Sequence, residues 1–202
     1  MSPAKVYSAV APTCAAFLMV TAIVVSLHRG WVMTELWLLA LPVLGVGWLT
    51  MIALFAIAIA RARKSAQRWP LVSTVAMAVV GIGAPALFVA CPEVGAWTRF
   101  WLERPAFSAV AALDTPDDDG YYGSPLPRHL CFVSANCKVV TINTLGGPPG
   151  RFVPDYLGIP DGAVGYAHFT EAPGSEPYDG FGDPICPTME LGGGWWWLGG
   201  CR

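Results

Sequence analysis

Charged residues are scarce: Asp, Glu, Lys and Arg make up 13% of the 202 residues, about half the proportion of an average soluble domain. With so few charges and no basic face, the electrostatic footprint that nucleic-acid binding needs is missing. The sequence has no Gly-x-Ser-x-Gly elbow and no CxxC spacing, so neither an esterase-type nucleophile nor a structural zinc site announces itself. Three long runs, residues 6–27, 36–60 and 71–91, contain no Asp, Glu, Lys, Arg or His. Such runs lack the ionisable groups that pumps and transporters use inside a bilayer. What the chain does have is apolar residues, 54% of the total, and a division of charge. Before Pro92 there are six Lys/Arg and one Asp/Glu, and from Pro92 onward six and thirteen.

Each run exceeds the ~20 apolar helical residues that cross a ~30 Å hydrocarbon core. The expected fold class is therefore membrane α-helical, with three transmembrane helices over residues 1–91, plus a small β-rich, loop-rich, disulfide-clipped extracytoplasmic domain. Arg61, Arg63, Lys64 and Arg68 crowd the second connection and mark it as cytoplasmic. The N-terminus is then cytoplasmic and everything beyond Cys91 external, a multi-pass plasma-membrane placement. A cleaved signal peptide is the rival reading of the first run, and it lacks a small-x-small site followed by a polar mature terminus. Membrane lipid is the implied partner of the runs, and the Ala56/Ala60 and Ala86/Ala90 spacings offer small faces for helix pairing.

After Cys91 the composition changes, with 17 of the 22 glycines and 13 of the 18 prolines. Residues 92–113 read as a juxtamembrane amphipathic segment. Its Trp97, Phe100 and Trp101 recur at helical spacing, to lie in a membrane interface or to pack on the external domain. Residues 114–202 read as the β-rich domain. Asp117, Asp118 and Asp119 suggest a calcium loop, yet alignment of Gly120 with the EF-hand glycine puts Thr115 and Leu126 at ligand positions, which favours a solvated turn. Leu130–Ser134 and Lys138–Leu145 predict a hairpin, Phe152–Val153 and Tyr156–Leu157 a short strand or turn, and Val164–Thr170 and Gly194–Leu198 further strands. Cys131, Cys137, Cys186 and Cys201 form an even set suited to an oxidising compartment. Proximity in sequence favours Cys131 with Cys137 and Cys186 with Cys201. A zinc site joining thiolates to His129 or His168 is the alternative.

No cofactor is called for, and thirteen scattered acids make a glycosidase pair possible anywhere and diagnostic nowhere. The candidate binding surface is Trp195, Trp196 and Trp197 with Tyr166 and His168. In a strand Trp195 and Trp197 share one face and Trp196 takes the other, so one face can be core and the other a recognition surface. Gly165-Tyr166-Ala167-His168-Phe169, followed by an acidic Gly/Pro stretch and the Gly-Trp-Trp core of Leu191–Leu198, resembles the C-terminal pattern of uncharacterised membrane-anchored envelope proteins of high-GC Gram-positive bacteria. That resemblance implies envelope location and no activity. The expected function is non-enzymatic presentation of an external domain to a protein partner or cell-wall component. An accessory subunit of a larger membrane complex is the alternative, and an external hydrolase a further one.

Overall fold

The computed structural model describes residues 90–114, 120–143, 147–158 and 161–201 without a break, together with residues 19–28 and scattered earlier positions. The chain divides into two compact units, one of residues 1–27 and 36–92 and one of residues 28–35 and 93–202. In the first unit Thr21, Ser26 and Thr50 donate their hydroxyls to carbonyls four residues back, the local satisfaction expected of hydroxyls in helices.

Among the described residues no helix is long and apolar enough to cross a membrane. α1 (Pro92–Leu102), for example, has 11 residues; at 1.5 Å per residue it spans about 16 Å, roughly half of a hydrocarbon core. The three-transmembrane-helix class is corrected on this finding, and with it the multi-pass plasma-membrane placement. Uncharged apolar length is one requirement for crossing, and an unbroken helix of matching length is the other. About half of the positions in the expected spans 6–27, 36–60 and 71–91 lie outside the described residues, and Arg61, Arg63, Lys64 and Arg68 wholly outside them.

The second unit is built on seven antiparallel strands. They are β1 (Ser124–Pro125), β2 (Lys138–Ile142), β3 (Gly150–Leu157), β4 (Ala163–Phe169), β5 (Tyr178–Gly180), β6 (Asp183–Gly192) and β7 (Trp195–Gly200). Their spatial order is β1-β2-β3-β4-β7-β6-β5, so the two shortest strands form the edges. Strand alternation sends successive side chains to opposite faces, and both faces are covered. Val153, Tyr166, Trp195 and Trp197 pack with Phe100 of α1 and with Phe107 and Val110 of α2 (Arg104–Ala111). Phe152, Ala167, Phe169, Ile185 and Leu198 fill the other side. The 92–113 segment thus packs Ala96, Arg99 and Phe100 inward, while Trp97 and Trp101 stay exposed. Arg151 of β3 donates to the Val110 and Ala111 carbonyls at 3.0 and 2.6 Å, closing the C-terminal end of α2.

The expected strand over Leu130–Ser134 is instead part of a 3-10 helix, Arg128–Val133. Pro127 caps this helix, and the Leu130 amide donates back to its carbonyl at 2.8 Å. Leu130 and Val133, three apart, are both buried, a spacing that a 3-10 helix puts on one face. β2 pairs with β1 and β3 instead. The residues 152–157 form one continuous strand, and β5 and β6 add two strands that sequence patterning did not reveal.

A buried ion pair ties α1 to the sheet. Arg99 is 2% exposed, and its guanidinium donates to Asp155, to Glu103 at 3.1 Å and to the Phe132 carbonyl at 2.8 Å. Its carbon lies 5.8 Å from the centre of the Tyr166 ring, whose hydroxyl donates to the Ala96 carbonyl. Burial works to lower the Arg99 pKa, but Asp155, Tyr166 and Glu103 outweigh it and raise the value. Asp155 reaches this position through a bulge: register shifts between Pro154, which faces Gly165, and Tyr156, which faces Val164. The extra residue turns the carboxylate to the helix side. Gly165 stands opposite, and a Cβ there would lie 2.7 Å from the Asp155 nitrogen and 2.8 Å from the Pro154 Cα. His28 and Gly30 join the same cluster. His28 Nε2 sits 2.9 Å from Glu103, and a Cβ on Gly30 would strike the Asp155 carbonyl.

Removing one member of a buried pair strands the other charge, at a cost of about 3–5 kcal/mol. Asp155→Ala is expected to lower unfolding free energy by that amount in a urea titration followed by tryptophan fluorescence. Arg99→Met with Asp155→Leu should cost less than the sum of the two single changes, because neither the guanidinium nor the Asp155 carboxylate is left buried without the other.

Candidate functional site

The Trp-bearing strand supplies core. Trp195 and Trp197 are 3% and 4% exposed, stacked among Phe100, Phe107 and Tyr166 at centroid distances of 5.0 to 6.1 Å. Tyr166 is fully buried. Trp196 takes the opposite face, half-buried against the second cluster. His168 lies half-buried with its ring 5.2 Å from that of Trp195. The structure therefore brings four of the five expected recognition residues, Trp195, Trp197, Tyr166 and His168, onto one face, and uses that face for packing under α1 and α2.

The cysteines pair Cys131 with Cys137 and Cys186 with Cys201. The first bridge joins the 3-10 helix to the start of β2, and the second fastens the chain end to β6. Among the described residues no group of three or more His, Cys, Asp or Glu side chains is placed to hold a metal. Asp117, Asp118 and Asp119 lie outside the described residues.

A different surface collects exposed aromatic and acidic groups. Gly120-Tyr121-Tyr122-Gly123 is a turn closed by a hydrogen bond from the Gly123 amide to the Gly120 carbonyl at 3.0 Å. Both glycines have φ of +75°, open to glycine at little cost. Two tyrosines at the corners of such a turn are pushed outward, and they are 53% and 55% exposed.

Across from them, Phe181 and Gly182 join β5 to β6 as a two-residue hairpin loop with φ of +60° and +102°. Positive φ at both positions is the requirement of a type I′ turn, where Asn-Gly is usual. A phenylalanine there bears strain that its packing must offset. Its ring lies 5.7 Å from Tyr121, 5.6 Å from Tyr122 and 6.1 Å from Phe152. Tyr121 and Tyr122 meet edge to face at 5.1 Å, the arrangement their ring quadrupoles prefer. Since Tyr121 precedes edge strand β1 and Phe181 follows edge strand β5, the sheet curls until its two edges touch through these rings.

Carboxylates rim the contact. Asp179 accepts from the Gly182 amide at 2.7 Å, fixing the hairpin, and Asp161 and Asp183 border the glycines at 182 and 162. The Tyr121 hydroxyl is held above the usual phenol range by desolvation, then by the charge of Asp179 and its hydrogen bond, with Tyr122 and Asp161 adding to the effect. Every charged neighbour acting on it is an acid.

Sequence reasoning passed over Tyr121, Tyr122 and Phe181. The readable signal was the pair of glycines bracketing adjacent aromatics, which marks a turn whose side chains cannot both be buried. Phe181-Gly182 left no comparable mark, because phenylalanine is not a residue that type I′ turns select. Comparison with protein-family models, with curated proteins and with solved structures finds no match for the chain.

His168 gives this unit a pH response. Burial, then the positive charge of Arg151 opposite it on β3, lowers its pKa, with the Gly193 backbone opposing. The unfolded chain therefore takes up the proton first as pH falls. The stabilisation is complete above the ordinary histidine value near 6.5 and is lost as pH drops through that range toward the lower folded value. Urea midpoints measured from about pH 8 down to about pH 5 should fall, and His168→Gln should remove part of that slope.

Proposed function

We propose that the second unit is a non-catalytic binding module that engages a protein partner through the Tyr121–Tyr122 turn. The observation that carries this reading is the exposure of two adjacent tyrosines held on a rigid base. Large aromatic side chains are normally spent in the core of a small domain, and here Trp195, Trp197, Phe107 and Tyr166 are. Tyr121 and Tyr122 keep half their surface open over Phe181, which holds an unfavourable backbone conformation beneath them. Rigid, amphipathic tyrosines supply contact area with little entropy to lose, and such residues dominate binding hot spots.

The test is site-specific photo-crosslinking in cells that express the full chain. A benzophenone amino acid at position 121 is expected to give a discrete adduct, whereas the same group at Glu176, also exposed, gives none. Tyr122→Ala in the same chain should abolish the adduct. Equal crosslinking at both positions, or none at either, would sink the reading.

A second reading, a structural subunit of a larger assembly, is favoured by α1. Its outward face carries Val94, Trp97 and Trp101, with the two indoles 50% and 43% exposed and Arg104 stacked 4.5 Å over Trp101. On that reading Trp97→Ser with Trp101→Ser lowers the native mass of the purified particle, measured by light scattering in mild detergent. An unchanged mass counts against it.

A further inference from the structure

We propose that the group recognised at the Tyr121–Tyr122 turn is an alkylammonium ion, a lysine side chain carried on a basic peptide segment of the partner. The inference rests on the binding-module reading and names its ligand chemistry.

Three observations converge. The first is the ring geometry. Tyr121 and Tyr122 are exposed and packed edge to face at 5.1 Å, so that part of each ring is left open to an incoming group. An aromatic face carries negative potential and attracts a cation within about 6 Å of its centre. The second is the rim. Asp179 and Asp161 both act on the Tyr121 hydroxyl, which places negative charge at the margin of the same rings. The ammonium therefore meets an aromatic face and carboxylates together, whereas an anion is repelled by both and a neutral group gains from neither charge.

The third is the absence of competition from three of the unit's own arginines. Arg99 is buried on Asp155 and Glu103. Arg151 is engaged with the end of α2, and Arg104 is stacked on Trp101. From Pro92 to the C-terminus thirteen acidic residues stand against six basic ones, so the long-range field also draws in cations. The surface is preformed as well. The Gly123-to-Gly120 hydrogen bond and the Asp179-to-Gly182 contact hold both turns without a ligand, which reduces the entropy lost on binding.

The experiment titrates the full chain with a short peptide containing two lysines separated by glycine, and with the same peptide acetylated on both side-chain nitrogens. Acetylation keeps length and shape and removes the charge. The unmodified peptide should bind at least tenfold more tightly. Tyr121→Ala should weaken it about fivefold, the scale of an exposed cation–aromatic contact, and Tyr121→Phe should restore most of the loss because the ring face is kept. Asp179→Asn should weaken binding and flatten its salt dependence while still accepting from the Gly182 amide. Equal affinity for both peptides overturns the proposal. So does binding indifferent to Tyr121→Ala and Asp179→Asn in chains with unchanged circular dichroism, since that is nonspecific attraction to an acidic surface. If neither peptide binds and the crosslink at position 121 persists, the ammonium assignment fails while the binding module stands. If the crosslink is absent too, both fail.

Discussion

Arg99 is the constraint around which the sheet unit is arranged. A guanidinium that is almost wholly enclosed requires a carboxylate and a full set of acceptors, because uncompensated burial of charge is among the costliest events in a fold. The chain meets that demand from five places: Asp155 on β3, Glu103 after α1, the Phe132 carbonyl at the end of the 3-10 helix, the Tyr166 ring on β4, and His28 through Glu103. Position follows from this in each case. The bulge in β3 exists where Asp155 must turn, Gly165 opposes it because a side chain would not fit, and Gly30 meets the Asp155 carbonyl where a side chain would strike it.

The two faces of the sheet divide the labour. One face, with Trp195, Trp197 and Tyr166, is closed by α1 and α2 and holds the ion pair. The other is closed by the curl of the sheet upon itself, completed where Tyr121 and Tyr122 meet Phe181. The helix-covered face of the sheet is filled by packing, while the seam keeps its two tyrosines half exposed. Strain at Phe181 belongs to the same logic. A turn that prefers Asn-Gly carries phenylalanine because its ring supports both tyrosines.

Much of the β unit was legible in the sequence. Alternation marked Val164–Thr170, the Trp run read as a strand with indoles on opposite faces, and proximity favoured the two cysteine pairs that the structure joins. β6 was hidden by Pro184 and Pro187, residues that demote a strand in any reading from pattern alone. Residues 130–134 read as a strand because Leu, Phe and Val favour sheets on average, whereas the chain there forms a 3-10 helix that buries Leu130 and Val133 on one face. The apolar runs were over-read. Hydropathy reports what a segment tolerates around it, and among the described residues no helix of the necessary length answers to it. Arg99 could not be ranked at all, since nothing local separates a buried arginine from an exposed one. Its partner is more than fifty positions away.

The edges of the sheet carry a consequence for how this protein meets others. β1 has two residues and β5 three, and each runs directly into an aromatic turn that leans on its counterpart. An open edge invites another chain to add a strand, in productive recognition and in aggregation alike. Here the unpaired backbone is too short to template one, and the seam covers its ends. Association must therefore go through side chains, whose identity can discriminate between partners, and not through the indiscriminate ladder of main-chain hydrogen bonds.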